Sequence, residues 1–478
     1  MLFLLLISIL LSIPAVQTKI GSYITDKVND DFGTDLTVEK VDFSFLGTVQ
    51  LKGVKIRDHH KDTLIFVDKL STSLLNAKRI LDNEINLKSV SLDGVNFYMK
   101  TYKGEENDNM SIFVDSFDDD KPKDSLSNPF TLKTSNAYVN NLNFKLINEN
   151  DKKPISYAVS KAGGNLQDLS IVGPNFSSKI RGLYFDDYNG LKVSNLTTDF
   201  SYSKTAMRFK NTVLQTQTSH IKGDIDFTYK RDDLSNFNDK VTIKANFRKS
   251  KIAVQDIKKF YNELSGNDVL NFSGNLNGKL NNFDLNRLNL SSRKGLKIQG
   301  NLSFVNVIDS NRGFIFEGDL TNLTATYPDL KNTFPNILGK NLPTEFEKLG
   351  KFTLVGQVKV TPDEMLATVH VNSEIGSAIS DLQITNLDDI DFAEYQGDIE
   401  LNAFNVGVFI NDPLFGIVSL KGDVKGGGFR LDNINTSFIG SVSELQFKEY
   451  GYKNIVANGQ YQNNKFDGDL TIDDQNFK

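Results

Sequence analysis

Between residues 219 and 230 the chain reads SHIKGDIDFTYK. Ile221, Gly223, Ile225, Phe227 and Tyr229 take alternate positions, and Lys222, Asp224, Asp226, Thr228 and Lys230 fill those between. Side chains alternate across a strand, so this segment has one apolar and one charged face. A helix, with a period near 3.6, would mix the two sets. The phrase apolar-x-Gly-x-apolar then recurs as Phe272-Gly274-Leu276, Ile298-Gly300-Leu302 and Phe316-Gly318-Leu320. It returns as Leu354-Gly356-Val358, Tyr395-Gly397-Ile399, Leu420-Gly422-Val424 and Phe466-Gly468-Leu470. Phe304 and Leu401 extend the same rows by one step. Each glycine sits in the apolar row, where a strand glycine marks a bulge, a bend or a close approach. The predicted fold is all-β: a long antiparallel sheet curved about its apolar face into an open groove.

Residues 1–16, MLFLLLISILLSIPAV, are almost wholly apolar. No basic n-region and no small-x-small cleavage site accompany them, so they read as a transmembrane anchor rather than a cleaved leader. In 17–33, Ile20, Ile24 and Val28 recur every fourth position after Val16, with Gly33 as a stop, which predicts an amphipathic helix. An N-terminal β segment follows over 34–102, interrupted by a short helix or turn at 76–83. Residues 103–129 are acidic, contain Pro122 and Pro129, and read as a linker loop. The acids Asp115, Asp118, Asp119 and Asp120 crowd there without the spaced ligands and turn glycine of a calcium loop. From 130 to 478 alternation continues as one elongated β-groove, broken by amphipathic helices at 251–264 and about 343–349. The last strand pattern, KFDGDLTIDD, has no terminal cap, so the groove is expected to continue in a longer protein. At about 12 residues per strand and turn, some 35–40 strands are expected.

Composition narrows the function. Charged residues are 24% and hydrophobic ones 39%, enough for a folded chain. The net charge of −6, without a basic block, argues against nucleic acid as a partner. Without cysteine there is neither a disulfide nor thiolate chemistry. His59 and His60 adjoin in RDHHKD and read as turn residues, because adjacent histidines in an extended segment point to opposite sides. No nucleophile elbow, zinc-protease motif or phosphate-binding loop occurs, and Gly426-Gly427-Gly428 precedes no helix pattern. Neither catalysis, metal nor cofactor is expected.

Most alternating sheets bury their apolar face against a second sheet. Here the pattern runs for hundreds of residues without partition, starts directly after an anchor, and carries its glycines on the apolar side. A curved open sheet would expose more apolar surface than a soluble protein tolerates, so an occupant is required. Lipid acyl chains fit: at about 0.8 kcal/mol per CH₂, a chain of some 16 carbons gains on the order of 12 kcal/mol by leaving water.

At 405–416 the chain reads NVGVFINDPLFG, followed by VSLKGDVKGGGF. With Asn405, Gly407, Asp412-Pro413, Gly416, Gly422, Gly426 and Gly428, and with residues 70–99 near the start, it resembles the TamB family of translocation and assembly module proteins. These belong to the AsmA-like superfamily, and the likeness is strongest to versions from Bacteroidetes-type bacteria. The resemblance implies a single-pass protein of the inner membrane of a Gram-negative envelope, its bulk a periplasmic β-taco. It implies phospholipid transfer toward the outer membrane, alongside an Omp85-type barrel reached through a region beyond this chain. The alternative is an assembly factor for outer-membrane β-barrel proteins that pairs strand edges with its client. Charged substitutions at Ile225 and Phe227 separate the two, since only the conduit needs an apolar lining.

Overall fold

In the computed structural model the described residues are 19, 22–23, 25–26, 29–30, 33–43, 48–74, 84–115, 131–261, 266–309, 312–333, 344–387, 392–428, 433–463 and 465–476. The anchor expected at 1–16 and the break expected at 76–83 lie outside them. Among the described residues no helix is long and apolar enough to cross a membrane. Lys19, Ser22, Tyr23, Thr25, Asp26, Asn29 and Asp30 are helical, within the amphipathic stretch. The Asn29 side chain then mimics a strand: its Nδ2 donates to the Leu36 carbonyl (2.9 Å) and its Oδ1 accepts from the Leu36 N–H (2.7 Å).

The described residues form twenty-three strands and a few short helices, so the all-β class is borne out. Two units, Met1–Ala245 and Asn246–Lys478, divide the chain. The first holds β1 (Asp35–Phe43), β2 (Thr48–Arg57), β3 (Thr63–Leu74), β4 (Glu84–Thr101) and β5 (Thr131–Asn148). It continues through β6 (Ile155–Val172), β7 (Asn175–Asp187), β8 (Lys192–Ser203), β9 (Ala206–Thr216) and β10 (His220–Thr228). Its helices are α1 (Asn109–Asp115) and α2 (Phe237–Lys240), the latter preceded by a 3₁₀ turn, Arg231–Asn236. Strand β11 (Thr242–Ala253) spans the division and ends in the single turn α3 (Val254–Ile257). The second unit holds β12 (Val269–Lys279), β13 (Asn282–Ser291), β14 (Lys297–Val305), β15 (Ile315–Ala325), β16 (Phe352–Val360) and β17 (Glu364–Ser373). After these come β18 (Gly376–Thr385), β19 (Glu394–Asn405), β20 (Phe415–Gly427), β21 (Asn435–Phe447), β22 (Tyr450–Gln462) and β23 (Lys465–Ile472). Its helices are α4 (Tyr327–Thr333) and α5 (Val406–Ile410), with a 3₁₀ turn at Thr344–Leu349.

Four expectations are corrected. The strands number fewer than 35–40, because several run to 18 residues. The helix expected over 251–264 shrinks to α3, since β11 runs on through Ala253. The helix expected near 343–349 is a 3₁₀ turn. Finally, the ladder is not wholly antiparallel: β4 and β5 pair in parallel over their whole length, from Glu84↔Thr131 to Thr101↔Asn148. A parallel pair requires a crossover of a dozen or more residues. Residues 102–130, between the two strands, are long enough for it. The acidic stretch at 103–129 thus lies within a crossover, which starts with a turn and α1.

In the first unit apolar positions align in register across strands. One row runs Val54–Val67–Val95–Leu142, another Leu51–Leu70–Leu92–Val139. Val54, Val67, Val95 and Val139 are buried in one cluster; Val90, Ala137 and Leu169 form the core of the next. Bulges bend these strands, and a recurrent device satisfies them. A residue with positive φ turns its N–H out of the ladder, and a short polar side chain on the neighbouring strand accepts it. Asn143 Oδ1 accepts from Lys161 (3.4 Å), Thr197 Oγ1 from Gly182 (3.4 Å) and Asp224 Oδ1 from Asn211 (2.7 Å). The second unit repeats it with Asn301 Oδ1 and Arg287 (3.0 Å) and with Ser419 Oγ and Ala403 (3.0 Å). These N–H groups lie at exposed positions, and the side chain supplies in place of water the partner that the bulge takes from the ladder.

Candidate functional site

Strands β12–β23 pair in sequence order, all antiparallel. Their registers carry four apolar rows across all or nearly all of the twelve strands. The first row begins Phe272–Leu290–Ile298–Leu323–Leu354–Val371. It continues Ala378–Leu401–Leu420–Val442–Ile455–Ile472. The second row passes Gly300, Leu320, Gly356, Val369, Ser380, Ile399 and Gly422 to Leu470. The third joins Leu276, Leu302, Gly318, Val358, Leu382, Gly397, Val424 and Gly468. The fourth joins Phe283, Phe304, Phe316, Val360, Met365, Ile384, Tyr395, Tyr461 and Phe466.

Every large residue singled out from the repeated phrase between 272 and 470 falls in one of these rows. Gly300, Gly356 and Gly422 lie in the second row, Gly318, Gly397 and Gly468 in the third, and Gly274 sits at a register shift between β12 and β13. The glycines therefore occupy the middle of the strands. Gly300 has φ +145° and Gly397 φ +136°, conformations that side-chain-bearing residues rarely adopt. A Cβ at Gly300 would meet the Asp319 carbonyl, and one at Gly397 the Asp381 carbonyl. The neighbouring strand approaches too closely for any other residue.

The rows hold no charged side chain. Ser380 and Thr436 are their polar interruptions, and burial pushes the phenols of Tyr395 and Tyr461 up, keeping both neutral. Over β16–β19 the first three rows are half-buried throughout, while residues buried outright lie near the strand ends, as Phe352, Ile384 and Phe404 do. Among the described residues, every extensive strand–strand contact runs between ladder neighbours. At about 4.8 Å between strands and 6.7 Å between rows, the face measures about 50 by 20 Å, on the order of 1,000 Å².

One end of this face is covered. Leu330 of α4, Leu349 of the 3₁₀ turn, Leu296, Ala325, Phe352 and Phe404 form one cluster, with Phe346, Val406 and Phe409 against it. The sharp sequence motif at 405–416 builds this cover. Asn405 caps α5, accepting from the Val408 N–H (3.1 Å). Asn411 ends it with φ +59°, and Asp412 Oδ1 accepts from the Leu414 N–H (2.9 Å) in the turn expected of Asp-Pro. Gly407 is required because a Cβ there would meet the Phe415 carbonyl. Phe409 stands 5.6 Å from Phe404 and 6.2 Å from Phe346 between ring centroids.

In the first unit, Ile221 pairs with Leu214, Ile225 with Phe209 and Phe227 with Met207. Gly223 is buried opposite Thr212, beside a bulge in β9. Phe176, Phe200, Phe209, Phe227 and Phe237 form a chain of ring contacts 4.8–6.0 Å apart. Tyr229 lies just beyond β10, buried, and donates from its hydroxyl to the Ser203 carbonyl (2.9 Å). The repeated phrase missed β13, β17 and β18, which have no mid-strand glycine, and β21, where Phe438-Gly440-Val442 fits it; these strands supply Leu285, Ala367, Leu382 and Phe438 to the third row. Plain alternation in those segments would have found them. No family model, curated protein or solved structure matches the chain.

Proposed function

We propose that the apolar face of β12–β23 carries lipid acyl chains, in a TamB-type protein held at the inner membrane of a Gram-negative envelope. The single observation behind this reading is the set of uncharged rows across β12–β23, half-buried over β16–β19. An occupant must be apolar, to match the rows, and long, to use more than one strand. A phospholipid meets both conditions while its headgroup stays in water. Because neighbouring strands present nearly the same surface, a lipid stepping from one to the next loses little of the ~12 kcal/mol its chain gains from burial. Phospholipid would then pass from the inner membrane along the strands toward an Omp85-type barrel at the outer membrane. No covalent chemistry is needed, and no enzyme activity is proposed.

The test is native mass spectrometry of the chain after exposure to vesicles of phosphatidylethanolamine and phosphatidylglycerol. Bound phospholipid is expected on the wild type, and Leu382→Lys with Val424→Lys is expected to remove most of it. A chain that carries no lipid, or carries as much with both lysines in the third row, would overturn the reading.

A further inference from the structure

We propose that His59, His60 and Glu105 bind a divalent transition-metal ion of the zinc kind. His59 and His60 are not extended: they occupy the tip of the β2–β3 hairpin, where the Lys61 N–H donates to the Asp58 carbonyl (2.9 Å) and Lys61 has φ +67°. The turn swings both rings to one side, with centroids 4.5 Å apart. Both Nε2 atoms face one carboxylate, His59 at 2.9 Å from Glu105 Oε2 and His60 at 2.6 Å from Oε1. The three ligand atoms lie within 4.8 Å of one another. Two imidazoles and one carboxylate match the three-ligand zinc site that leaves a fourth position to water. At bond lengths of about 2.0–2.2 Å, tetrahedral ligand atoms stand about 3.3 Å apart, so a bound ion would draw the three ligand atoms, now within 4.8 Å of one another, into that spacing.

The surroundings hold these groups in place. Asp58 is buried and accepts from Tyr102 Oη (2.7 Å), Asn109 Nδ2 (2.8 Å), the His60 N–H (3.0 Å) and the Asp62 N–H (3.0 Å). The Tyr102 ring backs His60 at 3.9 Å and meets His59 edge-on at 5.5 Å. The neighbouring cation, Lys100, is already paired with Glu149 (2.8 Å) and Asp62 (3.4 Å). His60 and His59 hold the Glu105 carboxyl below its usual range, so it is ionised and ready to ligate. Exposed hydrogen bonds alone contribute little toward ordering three side chains, whereas a shared metal ion binds all three at once. Calcium and magnesium are poor fits because they want oxygen donors. A bound ion would fasten the β2–β3 hairpin to the start of the crossover after β4.

Isothermal titration of the full chain with Zn²⁺ at about pH 7.5 tests this. One ion per chain is expected, with affinity falling toward about pH 5.5 as protons compete for imidazole. Calcium should not bind there. His59→Ala, His60→Ala and Glu105→Gln should each weaken Zn²⁺ by about tenfold or more. All three side chains are partly exposed, so circular dichroism should show the fold unchanged. The visible spectrum of the wild-type chain with Co²⁺ gives a second readout independent of any variant, expected to be that of a four-coordinate site. Absence of Zn²⁺ binding, a six-coordinate Co²⁺ spectrum, or undiminished affinity in the double histidine variant would overturn the proposal.

Discussion

The two units start from the same alternating pattern and end differently. In the first, the aligned positions are large: Val54, Val67, Val95 and Val139 meet side by side and are buried. In the second, glycines interrupt the two middle rows; Leu302 and Leu320 are buried in β14 and β15, but over β16–β19 the valines and leucines between the glycines stay half-buried. Alternation thus decides which face is apolar, while the size of the residues at mid-strand decides whether that face fills itself. A strand of valines satisfies its own apolar surface against its neighbours. A strand with a central glycine has less side chain with which to do so, and over β16–β19 it leaves room for something else.

Substitutions that exchange these properties should break the contrast, and the largest effect is expected at a middle-row glycine. Gly397→Ala forces a Cβ toward the Asp381 carbonyl at φ +136° and should cost about 3 kcal/mol, read by urea denaturation. Next comes one deletion made twice. Val95→Ala removes methyl groups from a buried cluster and should cost about 2 kcal/mol, whereas Val358→Ala, on the half-buried face, should cost under ~1 kcal/mol. Equal losses at the two sites would erase the distinction between the units. The smallest effect concerns what they share: Asn301→Ala hands the exposed Arg287 N–H at a bulge to water and should cost about 0.5 kcal/mol.

Much of this was legible in the sequence, because period-two alternation survives across a sheet of many strands. The repeated phrase picked out residues that the register then joined into rows. Direction was not legible: nothing in INLKSVSLDG distinguishes a strand with a parallel neighbour from one with an antiparallel neighbour, so the β4–β5 pair had to be seen. The bulges escaped because Lys161, Asn211 and Arg287 hold positive φ without being glycine, sustained by side chains on the next strand. Helix α5 escaped because VGVFI is a β-favouring run; its cap at Asn405 was the available signal. The convergence of His59 and His60 depends on a turn geometry that adjacency in sequence does not reveal.

The central claim is that the third row faces lipid and the opposite face of the same strands does not. Val358 and Val355 lie three residues apart on β16, on opposite faces, and Val355 is the more open to solvent at 48% exposed. A photo-crosslinking phenylalanine placed at each position, in cells or with phospholipid vesicles, compares the two directly. The account predicts lipid adducts from position 358 and few or none from 355. Adducts from 355 alone, or equal yields from both, would contradict it.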